Sequence, residues 1–346
     1  MPKDKKAAGV PPARKPTQRT IADELGLAVT TVSKALAGDP HIAASTRTEV
    51  AQVARRLGYV PDRAAQRLRT GRTNVITLVL DPHSELLDFG ASLIEGIAEV
   101  VRTTRYHLTI MQYQLGEDIL DPIDFLVRNR LADGLIFART KPDDKRVRFL
   151  LDRGFPFITH GRTKIEGHAW YDYDNDAFAQ MAVDALVGAG ARHIGLIPPS
   201  ASYTYRDFMV QGLDEAAARH GIRASTPRDF DLNHPSDILY SRLVDWLRQP
   251  DRPDALICPG EVSAMAAHAA LIDLGLSIPL VAKQTSPVFE FLRPRPYVIG
   301  EDIQAAGRVM TKALLELIAG AAPEGHQILH VPTDPALHDD ASGLPT

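Results

Sequence analysis

The chain has 346 residues, 45% hydrophobic, 24% charged and 6% aromatic, an ordinary globular composition whose length suits two or three folding units. Its single cysteine, Cys258, excludes an intrachain disulfide framework and a cysteine-rich metal site, and no stretch approaches the roughly 20 apolar residues of a membrane span. The net charge of −4 averages two unlike pieces, since residues 1–72 hold 14 basic and 6 acidic residues, net +8, and the remainder is net −12. A basic head on an acidic body points either to a polyanion bound by the head or to a solvated basic tail.

Residues 1–16 are rich in Lys, Ala and Pro without apolar periodicity and read as a disordered leader. Three short helical patterns follow. The first has Ile21, Ala22 and Leu25 on one face, with Thr20 as its expected N-cap, Asp23 three residues on and Gly26 as its stop. The second covers residues 29–37 and turns Val32, Ala35 and Leu36 inward. The third covers residues 45–57, with Val50, Val53, Ala54 and Leu57 at helical spacing. Pro61 ends the region, and residues 62–69 carry one more short helical pattern.

Beyond Gly71 the texture alternates. Strands are expected at 75–80, 107–113, 134–137, 157–160, 193–197 and 255–258, with weaker signals at 280–282 and 298–300. Amphipathic helices lie between them, for example at 93–102, 177–187, 209–219, 264–274 and 303–318. Such alternation implies parallel sheets covered on both faces, binding ligands beyond the carboxyl ends of the strands. About 270 residues of this pattern make two α/β lobes with a cleft between them.

Two short helices separated by Gly26-Leu27-Ala28 match a helix-turn-helix, whose second helix enters the major groove of DNA. That helix carries Val29, Thr30, Thr31, Ser33 and Lys34 on its polar and leading side. Small hydroxyls approach phosphates and base edges, Val29 suits a thymine methyl, and Lys34 reaches guanine or phosphate. A plain three-helix bundle would use similar turns.

The ordered motifs Thr17-Gln18-Arg19-Thr20-Ile21-Ala22, Gly26, Thr31-Val32-Ser33-Lys34-Ala35-Leu36, Thr46-Arg47 and Leu57-Gly58-Tyr59-Val60-Pro61-Asp62 resemble the LacI/GalR repressor family. The resemblance implies that Val29 and Thr30 choose bases and that Thr17, Thr31, Ser33 and Thr46 contact the DNA backbone. Arg63-Ala64-Ala65-Gln66-Arg67-Leu68 resembles the family's hinge helix. This implies DNA contacts for Ala65 and Leu68, with Leu68 wedged into the minor groove beside its partner-subunit counterpart. Three positions depart from the family pattern. Thr20 replaces an acidic residue, and Ala28 and Ala43 replace capping serines, leaving Ser45 as an alternative cap for the third helix.

The body lacks a Gly-rich phosphate loop, a G-x-S-x-G elbow and an H-E-x-x-H motif. A binding domain is therefore expected rather than an enzyme, with no cofactor and no metal site. Phe155-Pro156-Phe157-Ile158-Thr159-His160-Gly161-Arg162, Tyr173-Asp174-Asn175 and Gly300-Glu301-Asp302 resemble segments of the family's periplasmic-binding-protein-like effector domain. The resemblance implies ligand contacts for Phe89, His160, Arg162, Tyr171, Glu261 and Glu301, with Tyr205, Arg206 and Phe230 nearby. Gln284 stands in Lys283-Gln284-Thr285, where the family carries a ligand aspartate, and Met209 stands where many relatives carry an arginine. Aromatic faces with His, Arg, Gln and Glu suit a polyhydroxylated neutral ligand, an α-glucoside disaccharide among the expectations.

The expected architecture is an all-α helix-turn-helix head with a hinge helix, joined to a two-lobed α/β periplasmic-binding-protein-like domain with parallel sheets. Its parts are a leader (1–16), the head (17–62), hinge helix and linker (63–73) and a dimerising effector domain (74–346). The first lobe takes about 74–174 plus 302–325, and the second about 175–301 plus the C-terminal segment. The single cysteine and the lack of any apolar run of signal-peptide or membrane-span length make a cytoplasmic protein with no membrane association the expectation, and the resemblance implies a homodimeric repressor whose partners are a double-stranded operator and a small-molecule effector. The alternatives are a corepressor-activated regulator and a solute-binding protein without a DNA role.

Overall fold

The computed structural model describes residues 16–60, 67, 71–80, 88–113 and 118–332. The chain separates into two compact units, 1–73 and 74–346. The expected leader, most of the expected hinge helix including Ala65 and Leu68, and residues 333–346 lie outside the described residues.

The head holds α1 (Gln18–Leu25), α2 (Val29–Leu36) and α3 (Ala44–Arg56). The N-cap of α1 is Thr17, not the expected Thr20, which occupies the N3 position. The Thr17 hydroxyl accepts from the Thr20 amide at 3.3 Å and the Thr17 amide donates to Thr20 Oγ1 at 3.1 Å. This reciprocal box satisfies two otherwise orphaned donors, with a threonine in place of the usual Glu or Gln. Gly26 closes α1 in the left-handed region at φ 64°, where a residue without Cβ carries no steric cost. Ala28 and Ala43 precede α2 and α3 without any side-chain cap, and Ser45 does not cap α3 in their place, since it lies inside the helix. These helix starts rest on packing. Ile21, Ala22, Val32, Ala35, Val50, Val53 and Ala54 form one buried cluster, flanked by Leu25, Leu36, Leu57 and Tyr59.

The body opens with β1 (Val75–Leu80), α4 (Phe89–Val101), β2 (His107–Gln112), α5 (Leu120–Arg128), β3 (Gly134–Phe137), α6 (Lys145–Asp152), β4 (Phe157–His160) and β5 (Ala169–Tyr173). It continues through α7 (Asn175–Gly188), β6 (His193–Leu196), α8 (Thr204–His220), β7 (Arg223–Ser225), α9 (Ser236–Leu247), β8 (Ala255–Cys258), α10 (Glu261–Leu274), β9 (Leu280–Gln284) and β10 (Tyr297–Gly300). The last elements are α11 (Ile303–Ala319) and β11 (Gln327–His330).

Two parallel sheets result, ordered β11-β5-β4-β3-β1-β2 and β10-β9-β8-β6-β7. Continuously buried apolar strands, as in Gly134–Phe137 and Ala255–Cys258, are what a sheet covered on both faces requires. The expected placement of the C-terminal segment in the second lobe is corrected for residues 327–330. β11 hydrogen-bonds to β5 and extends the first sheet, because α11 returns the chain to the first lobe against α4. Strands β5, β7 and β11 were not among the expected ones. β5 mixes aromatics with a buried Asp172, β7 has three residues, and β11 is half exposed at a sheet edge.

The α4–α11 contact is close. A Cβ on Gly96 would sit 2.0 Å from the Gln304 carbonyl oxygen, and one on Gly307 2.7 Å from that of Leu93. The two glycines let the returning helix lie against the first lobe's opening helix.

Candidate functional site

On the head, α2 divides cleanly. Val32 and Ala35 are buried, while Val29 is 41% exposed and Thr30 and Lys34 are exposed. Thr31, Ser33 and Thr46 are half-buried and Thr17 is exposed. The residues expected to meet DNA therefore share the solvent side of α2 and the starts of α1 and α3, apart from Ala65 and Leu68, which lie outside the described residues. Thr17 carries the α1 capping box as well.

In the body, a cavity opens where the carboxyl ends of β3, β4, β5, β8 and β9 meet the crossings between lobes. It is lined by Phe89, His160, Tyr205 and Glu301 of the expected residues, and by Arg139, Thr140, Asp172, Tyr173, Asn175 and Lys283 among the rest. Its volume is about 70 Å³, below the roughly 300–1,000 Å³ of small-molecule sites, so a disaccharide enters only as the lobes part.

The floor is charged. Lys283 is almost fully buried, with Nζ 3.0 Å from Glu301 Oε2 and 2.9 Å from Asn175 Oδ1, and 4.0 Å above the centre of the Tyr173 ring. Burial pushes the Glu301 carboxyl up, but the Lys283 ammonium and the adjacent His160 outweigh it and hold the group at about 2. Glu301 Oε1 stands 3.3 Å from His160 Nε2. The pair is close enough to attract but lacks hydrogen-bond alignment, and both atoms are buried without a hydrogen-bond partner. Phe89 meets the His160 ring edge-on at 5.3 Å, and Tyr171 packs behind it at 5.7 Å.

Four expected contacts lie away from the cavity. Glu261 is fully buried, and its Oε1 accepts from the backbone amides of Thr285 and Ser286 at 3.0 and 2.7 Å, holding the loop after β9. Gln284 is turned into the same loop, donating to the Ser286 carbonyl at 2.6 Å. Phe230 packs edge-on against Trp246 in the second lobe's core. Arg206 donates to the Pro199 carbonyl at 2.6 Å and borders a separate surface depression on α8.

Arg162 and Tyr171 stand one layer back. Arg162 Nε donates to Asp172 at 2.6 Å, and its guanidinium lies 4.0 Å over the Phe208 ring. Burial pushes the Asp172 carboxyl up despite that partner. Burial, with Glu301 nearby, also pushes the Tyr171 phenol up. Met209 is fully buried in the second lobe's core.

The cleft is bridged on one side. The Arg139 guanidinium sits 4.3 Å over the Tyr203 ring and donates to Asn233 Oδ1 at 2.5 Å. Beside it, the Thr140 carbonyl accepts from the Thr204 amide at 3.0 Å. Behind this loop, Asp144 caps α6 and pairs with the buried Arg146, whose Nη2 donates to the carbonyls of Ala138 and Arg139 at 3.1 Å. Arg139, Thr140, Asn175 and Lys283 were not expected from sequence. Asn175 and Lys283 stood only inside segments compared with the family's effector domain, with no ligand role given to either.

Among the described residues no group of three His, Cys, Asp or Glu could hold a metal ion, and no helix is long and apolar enough to cross a membrane.

Residues 18–62 match the family model described as bacterial regulatory proteins, lacI family, and residues 183–337 match a periplasmic binding protein-like domain. The HTH-type transcriptional regulator RafR of Escherichia coli is 31% identical over 91% of this chain and 95% of its own length. The lac repressor dimer bound to operator and the anti-inducer ONPF aligns over 92% of this chain and 97% of its own, with a TM-score of 0.77 at 18% identity. The complex of the transcriptional regulator CelR with cellobiose aligns over 92% and 98%, with a TM-score of 0.66 at 22% identity. With a relative of that identity spanning nearly its whole length, the chain belongs to the LacI family of bacterial regulatory proteins.

Proposed function

We propose that the protein is a cytoplasmic transcriptional repressor that binds a pseudopalindromic operator as a homodimer and releases it when a sugar fills the body's cleft. One observation carries the DNA-binding half: α2 exposes Val29, Thr30 and Lys34 while Val32 and Ala35 anchor its other face in the head's core. Two such helices read two half-sites of a two-fold operator, which is why a dimer is required. Leu68, on the hinge motif, supplies the minor-groove wedge in this reading.

Ligand contacts are assigned to Phe89, His160, Tyr205 and Glu301, all at the cavity wall, with Arg162 and Tyr171 as support. Aromatic faces beside an acid–imidazole pair suit the C–H faces and hydroxyls of a sugar, and the CelR complex holds cellobiose in the same fold. The cleft binds and does no chemistry in this reading. A ligand favouring a closed cleft couples to DNA affinity by about 1–3 kcal/mol, or roughly 5–150-fold.

The test is in-vitro selection of DNA by the purified protein at one fixed salt concentration, followed by sugar titration on the selected duplex. A two-fold symmetric sequence that is released by a sugar, and bound more weakly by Leu68→Ala, is expected. Enrichment of no sequence by folded dimer would overturn the repressor reading.

A further inference from the structure

The cavity floor carries a buried charge pair. Lys283 sits on β9 within the second lobe, and its partners Asn175 and Glu301 lie on two different chain crossings between the lobes. Asn175 follows β5 and Glu301 follows β10. An ammonium has three donors, and here two are given to oxygens while the third side faces the Tyr173 ring. Lys283 therefore has nothing left to offer a ligand. It fixes Glu301 instead, leaving one carboxylate oxygen, Oε1, buried and unpartnered beside the equally unpartnered His160 Nε2.

Two adjacent atoms of this kind define a chemical demand. Glu301 Oε1 only accepts; His160 Nε2 donates when that nitrogen carries the proton. A hydroxyl answers both, donating to one and accepting from the other, and two neighbouring hydroxyls answer them separately. A phosphate or carboxylate presents acceptor oxygens to an anionic carboxylate and is repelled. Of the nearby cations, Lys283 is held by Glu301 and Asn175 and Arg162 by Asp172, while Arg139 donates to Asn233 and lies over the Tyr203 ring across the cleft.

Resting on the reading of the cleft as the effector site, we infer that the Lys283–Glu301–His160 constellation selects an uncharged hydroxylated ligand, one hydroxyl of which bridges Glu301 and His160, and rejects sugar phosphates and sugar acids. Lys283 is the positioning residue. It holds the carboxylate with Oε1 beside His160 Nε2 at the cavity wall and ties both crossings together, so ligand engagement bears directly on the segments that join the lobes.

The experiment uses the full-length protein and isothermal titration with maltose, cellobiose, melibiose and trehalose, alongside trehalose 6-phosphate, glucose 6-phosphate and gluconate. The wild type is expected to bind at least one neutral disaccharide and to bind each anionic probe at least 100-fold more weakly. Glu301→Gln, which keeps size and hydrogen bonding but removes the charge, is expected to narrow the neutral-to-anionic affinity ratio at least tenfold. Lys283→Met is expected to weaken the neutral disaccharide at least tenfold, and circular dichroism reports whether it folds. Should it not fold, Glu301→Gln decides alone through the ratio, which a merely structural role would not move. Binding of an anionic probe as tightly as the best neutral disaccharide, or an unchanged ratio in Glu301→Gln, would overturn the selectivity while the sugar site stands. Binding of no probe by folded protein would remove the sugar site and this inference with it.

Discussion

Lys283 and Glu301 form a buried ion pair, Nζ to Oε2 at 3.0 Å, in which neither side chain is more than 7% exposed. Removing one partner of such a pair leaves an uncompensated charge in a poorly solvated place.

Lys283→Met is therefore expected to destabilise the body by about 3–5 kcal/mol at neutral pH. The pH dependence has a definite sign. The folded-state value of Glu301, about 2, lies below its ordinary 4.5, so its stabilising contribution is complete above the ordinary value and is lost as pH falls through the window between them. The gap in melting temperature between wild type and Lys283→Met should be widest near neutrality and shrink on acidification into that window. Thermal unfolding across pH checks this. A gap that stayed constant would mean the lysine acts only through packing.

Val29 and Lys34 should separate base reading from phosphate binding. Val29→Ala is expected to relax discrimination at one position of each half-site by about 1 kcal/mol. Lys34→Ala should weaken binding to all sequences alike and lower the salt slope by about 1, if its contact is a phosphate. Anisotropy titrations on the selected operator and its point variants, at several salt concentrations, measure both.

The Thr17–Thr20 box holds the start of α1. Thr17→Ala should destabilise that turn by about 1 kcal/mol, whereas Thr17→Ser keeps the oxygen and most of the effect. Amide exchange over residues 18–25 is expected to quicken several-fold in the alanine variant alone. Equal exchange in both variants would remove the cap from the argument.

Gly96→Ala forces a methyl to within 2.0 Å of the Gln304 carbonyl oxygen. Helix backbones cannot give way there as a flexible side chain could, so a loss of about 1–3 kcal/mol or more is expected, read as a lowered melting temperature. A neutral substitution would show that α4 and α11 lie further apart than this contact implies.

Much of the chain was legible before folding. Apolar spacing located the three head helices, because each had to present one face to a small shared core, and β1, β3, β4 and β8 stood out as short, largely apolar runs. Thr20 misled because a threonine near a helix start suits either the cap or the N3 position, and only the hydrogen bonds with Thr17 distinguish them. The family resemblance implied a ligand contact for Glu261. The structure instead turns it to the amides of Thr285 and Ser286, donors that come from 24 and 25 residues away.

The sequence by itself determined the element pattern, the helix-turn-helix with its exposed polar face, and the family. These depend on local periodicity and on short ordered motifs. Only the tertiary structure decided the composition of the cleft. Lys283, Asn175 and Glu301 are separated by 108 and 18 positions along the chain, and their meeting follows from how two parallel sheets are joined by crossings. It was likewise the fold that carried β11 back to β5, because α11 re-enters the first lobe where Gly96 and Gly307 let it approach. Pairings of that range carry no local signature, since the free energy that fixes them comes from burial and charge compensation in the assembled core.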